Sequence, residues 1–263
     1  MKPTHLGPRY GKQFQDPSVV AAYRHRPPYP LSVLRCLKGL ILDDNAAVLD
    51  LGAGRGEIAR RLAPRVARVD AVEPSLAMVQ AGRRLSGGRH PRLSWVVDWA
   101  ETASLHPPYA LITAGNSLQW MDWNLVMPRL DECLTPAGRL AIIDVDTAPP
   151  PWQPELLPLI QEFSTNQHYR PYDLIHELQT RNLFTVEGSG DLSGSRYRRT
   201  VDAYVEDFHS RNGFSRARMD PTRASAFDGS VRELVTPYAT ADGRLSLTVA
   251  ARVTWGRPHG PTR

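Results

Sequence analysis

Three acids and a run of glycines sit where apolar stretches end. Asp50, Gly52, Gly54 and Gly56 spell D-x-G-x-G-x-G within "VLDLGAGRG", Glu73 closes "RVDAVEP", and Asp98 stands in "LSWVVDWAE". Glycines at such a turn let backbone approach a ligand closely. In the dinucleotide fingerprint G-x-G-x-x-G a third glycine would fall at position 57, where this chain has Glu57. A carboxylate there, with Asp50 just below the turn, opposes a pyrophosphate and favours an ammonium group. Glu73 lies at the spacing from which an acid accepts hydrogen bonds from ribose hydroxyls. Asp98, followed by Trp99 and Ala100, can accept from an adenine amino group and cover its ring. The ligand implied carries an amine, a ribose and an adenine, and no phosphate.

These residues need strand ends to stand on. Apolar, β-rich runs at 47–52, 68–74, 93–101, 110–117 and 139–145 alternate with helical spacing. That alternation implies βαβ units, a parallel sheet and right-handed crossovers. Open sheets of this kind bind ligands at the carboxyl ends of their strands. From Pro149 the proline-dense "APPPWQPELLP" marks a boundary. Helix-like segments follow near 155–165, 171–181, 200–211 and 222–236, with further strands at 183–189 and 244–255. Residues 1–18 read as polar and loose, and 256–263 as a frayed tail.

A sulfonium nucleoside, S-adenosylmethionine, meets the ligand description, and the chain resembles the class I methyltransferases, in particular the bacterial small-molecule branch of methyltransferase type 11 or 25. "VLDLGAGRG", "VDAVEPSLAMV", "VVDWAE", "ALITAGNSLQWMDW" and "LTPAGRLAI" look like its five successive motifs. The resemblance implies a Rossmann-like α/β fold: a mostly parallel seven-stranded sheet with an antiparallel last strand, helices on both faces, and a small helical cap. It implies a single domain, with a cofactor core at 19–148, a cap at 149–182 and 190–240, and final strands at 183–189 and 244–255.

It also implies roles. Asp50, Gly52, Ala53 and Gly54 hold the methionine end, Glu73 and Pro74 the ribose, and Asp98, Trp99 and Ala100 the adenine, with Met78 beside them. Asn116 and Ser117 line the site near the sulfonium. Tyr23 and Arg26, in "YRHRPPYP", close over the cofactor or meet the substrate. Trp120, Tyr169 and Arg211 are substrate candidates, and His168 and His209 are the candidate bases. Where relatives often have S-x-H-W-M, this chain has Ser117-Leu118-Gln119-Trp120-Met121, and Gln119 cannot take a proton. The implied reaction is in-line displacement on a sulfonium methyl, yielding S-adenosylhomocysteine. It needs the acceptor held about 3–3.5 Å from the methyl group.

Other features carry plainer readings. "HPPY" at 106–109 is a turn, since it precedes the fourth strand instead of following it. Arg60, Arg61, Arg65 and Arg68 fall opposite the apolar face of a helix and read as a solvated surface. "SRYRR" at 195–199 reads as a charged loop. The surplus of 32 Lys+Arg over 27 Asp+Glu, a formal charge of +5, permits an anionic partner without requiring one. The expected partner is a small-molecule acceptor, with no metal, no membrane and a monomer or homodimer as the assembly. The competing readings are a nicotinamide oxidoreductase, against which the displaced glycine counts, a nucleic-acid methyltransferase, and a member of the fold that binds the cofactor without transferring methyl. Two distant cysteines, Cys36 and Cys133, suggest neither a disulfide framework nor zinc, and fit a cytoplasmic setting.

Overall fold

A computed structural model describes residues 2–42, 46–170 and 172–260. Its strands are β1 (Ala47–Leu51), β2 (Arg68–Val72), β3 (Leu93–Val96), β4 (Tyr109–Gly115), β5 (Leu134–Thr147), β6 (Phe184–Asp191), β7 (Arg196–Thr200) and β8 (Arg244–Pro258). Its helices are α1 (Pro8–Gly11), α2 (Pro17–Ala22), α3 (Leu31–Gly39), α4 (Ala59–Leu62), α5 (Leu76–Arg84), α6 (Trp123–Cys133), α7 (Gln153–Phe163), α8 (Leu174–Thr180), α9 (Val201–Phe208) and α10 (Pro221–Val235). Two compact units result: a sheet unit of Tyr29–Val145, Tyr172–Leu192 and Ala251–Arg263, and a helical unit of Met1–Pro28, Asp146–Pro171 and Ser193–Ala250.

The sheet runs β3-β2-β1-β4-β5-β8-β6, with β7 pairing β8 off this path. The pairs β1–β2, β1–β4, β2–β3 and β4–β5 are parallel, and β8 is antiparallel to β6. Four consecutive buried positions in β1 and in β2 mark strands covered on both faces, which is why they read as unbroken apolar runs. Leu49, Leu51, Ile112, Leu118, Met127 and Leu130 centre the core of this unit. Helix starts follow capping chemistry: Ser75 accepts from the Met78 amide and Asp122 from that of Asn124. The helical unit has its own aromatic core, in which Phe227 meets Phe163, Phe208 and Phe214.

Several expectations are revised. Residues 172–182 belong to the sheet unit, where Leu178 joins the core, whereas 19–28 and 146–148 belong to the helical unit. β3 stops at Val96, so Asp98 lies beyond it. "SRYRR" is largely strand, β7, paired from Arg196↔Thr248 to Thr200↔Arg244. The N-terminal stretch is ordered by buried Gln13, whose side chain accepts from the Gly213 amide, and by Asp16, which pairs with Arg218. β8 continues to Pro258, and the His259 amide donates to Leu183; residues 261–263 of the expected tail lie outside the described residues.

Candidate functional site

The glycine loop follows β1 and turns in left-handed backbone: Gly52, Gly54 and Gly56 have φ of 62°, 56° and 74°. A side chain at such a residue costs about 1–2 kcal/mol. At Gly52 space is also lacking, because a Cβ would lie 2.5 Å from the Ser117 Cβ. Ser117 is itself fixed, its hydroxyl donating to the Leu51 carbonyl at 2.7 Å. The Ala53 amide donates to Val72 at 3.0 Å and draws the loop across to β2. Gly52→Ala is therefore expected to lower stability by about 2 kcal/mol, read as a lower thermal midpoint, and to weaken cofactor binding in calorimetry.

Asp50 and Glu73 build this loop as much as they face it. Asp50 is 2% exposed; Oδ2 accepts from the Ala59 amide at 3.1 Å and Oδ1 from the Thr113 hydroxyl at 2.7 Å. Burial pushes its pKa up to about 7 against those two hydrogen bonds, with the Glu73 charge adding to the rise. Glu73, 6% exposed, accepts from the Ser75 amide through Oε1 at 2.9 Å and from the Gly54 amide through Oε2 at 2.8 Å. Burial raises its pKa too, in spite of both amides. Two desolvated acids on neighbouring strands are better ionised beside a cation than alone.

The third acid comes from the loop after β3. Asp98 Oδ1 accepts from the Trp99 amide at 2.7 Å and the Thr102 hydroxyl at 2.8 Å, leaving the Trp99 ring 43% exposed. Ala100 is buried, and its carbonyl accepts from Arg129 at 2.7 Å. Asp50, Glu73 and Asp98 thus stand at or just past the carboxyl ends of three adjacent parallel strands. Pro74 follows Glu73 into α5, and Met78, 1% exposed, is interior packing, a correction to its expected ligand contact.

After β4, Asn116 takes φ 51°, a conformation seldom adopted outside glycine. Its Oδ1 accepts from the Val145 amide at 3.0 Å, its Nδ2 donates to Asp144 at 2.8 Å, and its own amide donates to Ile143 at 2.9 Å. Asn116 thereby ties the end of β4 to the end of β5. Trp120 lies in the 3-10 turn that follows, its amide donating to Ser117. Thr113, Ser75 and Asp144 were missed from sequence; of these only Ser75, a capping residue before an apolar helix, left a local signal.

The remaining candidates lie in the helical unit. The Arg26 guanidinium donates to the Ser210 hydroxyl at 2.7 Å and carbonyl at 2.8 Å, and lies over the Tyr23 ring at 5.3 Å. Arg211 is forked onto Asp146 at 2.7 and 2.8 Å and onto Asp207 at 2.7 Å. Burial opposes its charge, but the two carboxylates outweigh that and raise its pKa. Arg211 is thus held by an ion pair within the helical unit. Tyr169 is exposed, edge-on to His5 at 5.5 Å, and His168 beside it is exposed.

His209 is corrected from candidate base to structural residue. It is wholly buried, with Nδ1 2.8 Å from the Phe214 carbonyl and Nε2 2.7 Å from Asp228. Both nitrogens face acceptors, so the ring has no open position for a substrate proton. Burial works against the Asp228 charge, yet hydrogen bonds from His209 and Arg216 hold its carboxyl below the ordinary value. His209→Gln is expected to leave the shape of the pH–rate profile unchanged while lowering the thermal midpoint; a lost acidic limb would restore the catalytic reading.

Among the described residues no group of three His, Cys, Asp or Glu is placed to hold a metal, and no helix is long and apolar enough to cross a membrane. Residues 48–138, from β1 to the start of β5, match a family model described as a methyltransferase domain. Among curated proteins none matches the chain. A solved protein named as a type II methyltransferase from Anaeromyxobacter dehalogenans is 22% identical, with a TM-score of 0.64 over 89% of this chain and 99% of its own. One named as a methyltransferase from Bacillus halodurans is 16% identical, with a TM-score of 0.53 over 87% and 99%. The YcgJ protein of Bacillus subtilis is 16% identical, with a TM-score of 0.53 over 86% and 98%. These likenesses give the fold, while the family match covers the glycine loop and the ends of the first four strands. The chain thus shares its fold with these solved structures and carries, over residues 48–138, a match to a methyltransferase domain.

Proposed function

We propose that this chain is a class I methyltransferase that uses S-adenosylmethionine and acts on a small-molecule acceptor. The observation that supports a small acceptor over a nucleic acid is that many of the chain's arginines already have partners. In the helical unit Arg198 pairs with Asp242, Arg199 with Asp207, Arg216 with Glu206 and Asp228, and Arg232 with Asp202. Beside the glycine loop, Arg60 pairs with Glu57 and donates to the Arg55 and Ser86 carbonyls, and Arg61 donates to the Tyr29 carbonyl. These last two depart from the solvated face expected of them. Cations already neutralised or tied to carbonyls release few counterions on meeting a phosphate backbone.

The glycine loop suits the cofactor's amino-acid end, because its backbone turns at Gly52, Gly54 and Gly56 without side chains and Asp50 favours a cation nearby. Each Glu73 oxygen accepts one amide and keeps a second lone pair for a ribose hydroxyl. Asp98 and Trp99 are the adenine candidates. When bound, S-adenosylmethionine supplies an electrophilic methyl group on a sulfonium. The chain's own part is to bind that cation with buried carboxylates, exclude water and align the acceptor. With His209 closed off, removal of an acceptor proton by a side chain falls to His168 among the two histidines proposed.

Calorimetry with S-adenosylmethionine, S-adenosylhomocysteine and NAD, followed by labelled-methyl transfer to small acids, phenols, amines, RNA and DNA, tests this reading. The expected result is binding of the first two ligands in the micromolar range, about −8 kcal/mol, no NAD binding, and transfer to one small acceptor class. Saturable transfer to RNA with no small acceptor would overturn the acceptor class.

A further inference from the structure

The chain's surplus of positive charge gathers at the last turn of α5 and the corner after it, which pack against Arg55 of the glycine loop. Arg83, Arg84 and Arg89, with Leu85, Gly87 and His90, line a recess of about 530 Å³ in the sheet unit. Among the described residues none of these three guanidiniums has a carboxylate within ion-pair distance, in contrast with the paired arginines above. All three are exposed.

The recess is held firmly. Its wall is the last turn of α5, and its floor is the Gly87-Gly88 corner that leads to β3. Gly87 has φ 76°, and a Cβ on Gly88 would lie 2.0 Å from the Gly82 carbonyl oxygen, so the corner closes on the helix only as glycine. The Trp95 indole N–H donates to the Gly88 carbonyl at 3.0 Å, and Arg60 donates to the Ser86 carbonyl at 2.7 Å. His90 Nδ1 accepts from the Arg92 amide at 3.2 Å, which makes Nε2 the N–H donor of the neutral ring. Basic residues in a helix's last turn are favoured by its dipole. That explains Arg83 and Arg84; it does not explain Arg89 and His90, which line the same recess from beyond the helix.

Three guanidinium forks and an imidazole N–H around one open surface recess make a donor set suited to a multiply charged phosphoryl group. We propose that this recess binds a phosphoryl-bearing ligand, presented by a free small molecule or by a lipid headgroup. The nine residues of α5 put it about 13 Å along the helix from the Ser75 cap, the end that borders Glu73. The proposal holds whatever the methyl acceptor is.

The test uses the full chain, inorganic pyrophosphate in calorimetry, and cosedimentation with phosphatidylcholine vesicles with and without phosphatidic acid. Wild-type protein is expected to bind at least one of the two probes, and a variant carrying Arg84→Ala and Arg89→Ala to bind roughly tenfold or more weakly. Its affinity for S-adenosylmethionine should be unchanged, which also reports that it is folded. If the double variant loses that affinity, Arg89→Ala alone, outside the helix, gives the comparison. Pyrophosphate binding alone identifies a free phosphate as the source, and vesicle binding dependent on phosphatidic acid a headgroup. Binding of neither probe, equal binding by wild type and variant, displacement by equimolar sulfate, or binding of RNA without pyrophosphate would each overturn the proposal.

Discussion

Glu73→Ala is expected to weaken S-adenosylmethionine by about 1.5–3 kcal/mol, roughly 10- to 150-fold, the worth of a charge-assisted hydrogen-bonded contact. The free protein should also lose stability. Removing the carboxylate strips the Gly54 and Ser75 amides of their acceptors inside a buried loop, at about 1–3 kcal/mol for each amide left unsatisfied. Part of that loss is offset because a desolvated acid has been removed. Glu73→Gln separates the two effects. The amide oxygen can still serve one of the two donors, so its thermal midpoint should fall less than that of the alanine variant. The charge is absent in both, so cofactor affinity should fall in both. Calorimetry and melting curves on the pair decide the matter: unchanged affinity in both variants would leave Glu73 as scaffold only.

What could be read from the sequence was whatever depends on a residue and its near neighbours. β1, β2 and β4 showed because strands buried on both faces are continuous apolar runs, and the glycine loop showed because left-handed backbone at 52, 54 and 56 demands glycine. The sequence pattern places Asp98 on a strand because "LSWVV" continues the β alternation, but β3 ends the sheet path and pairs on one side only, and it stops at Val96. Arg60 reads as part of a wet helix face because a helical wheel does not show the corner at 86–88 folding against that face. β7 was hidden because its residues are charged; it is held by pairing to β8, some fifty positions on. His209 looked available for catalysis because its partners, Phe214 and Asp228, come together with it only through the turn after α9 and the packing of α10.

Asp50→Asn should do the opposite of what a binding-site mutation usually does to the free protein: stabilise it. The sign follows from proton binding. In the unfolded chain this acid gives up its proton near 3.8, in the folded protein near 7. Between those values the native state holds the proton that the unfolded state has released, so stability falls as pH rises from about 4 to about 7, and the loss is complete above that. About three pKa units at 1.36 kcal/mol each give a penalty on the order of 4 kcal/mol at pH 8. Asparagine carries no charge to desolvate and suits the same contacts. Its Oδ1 can accept from the Ala59 amide, and its Nδ2 can donate to the Thr113 hydroxyl, whose proton then turns to the Leu49 carbonyl 3.4 Å away. Melting curves of the free protein should therefore coincide for wild type and variant near pH 4 and diverge toward pH 8, the variant melting higher. Affinity for the cationic cofactor should move the other way, weaker in the variant, because the buried charge that makes the free loop unstable is the one a sulfonium and an ammonium repay on binding. Parallel melting curves across that range would mean that Asp50 is ionised throughout, stabilised by Thr113 and Ala59 alone.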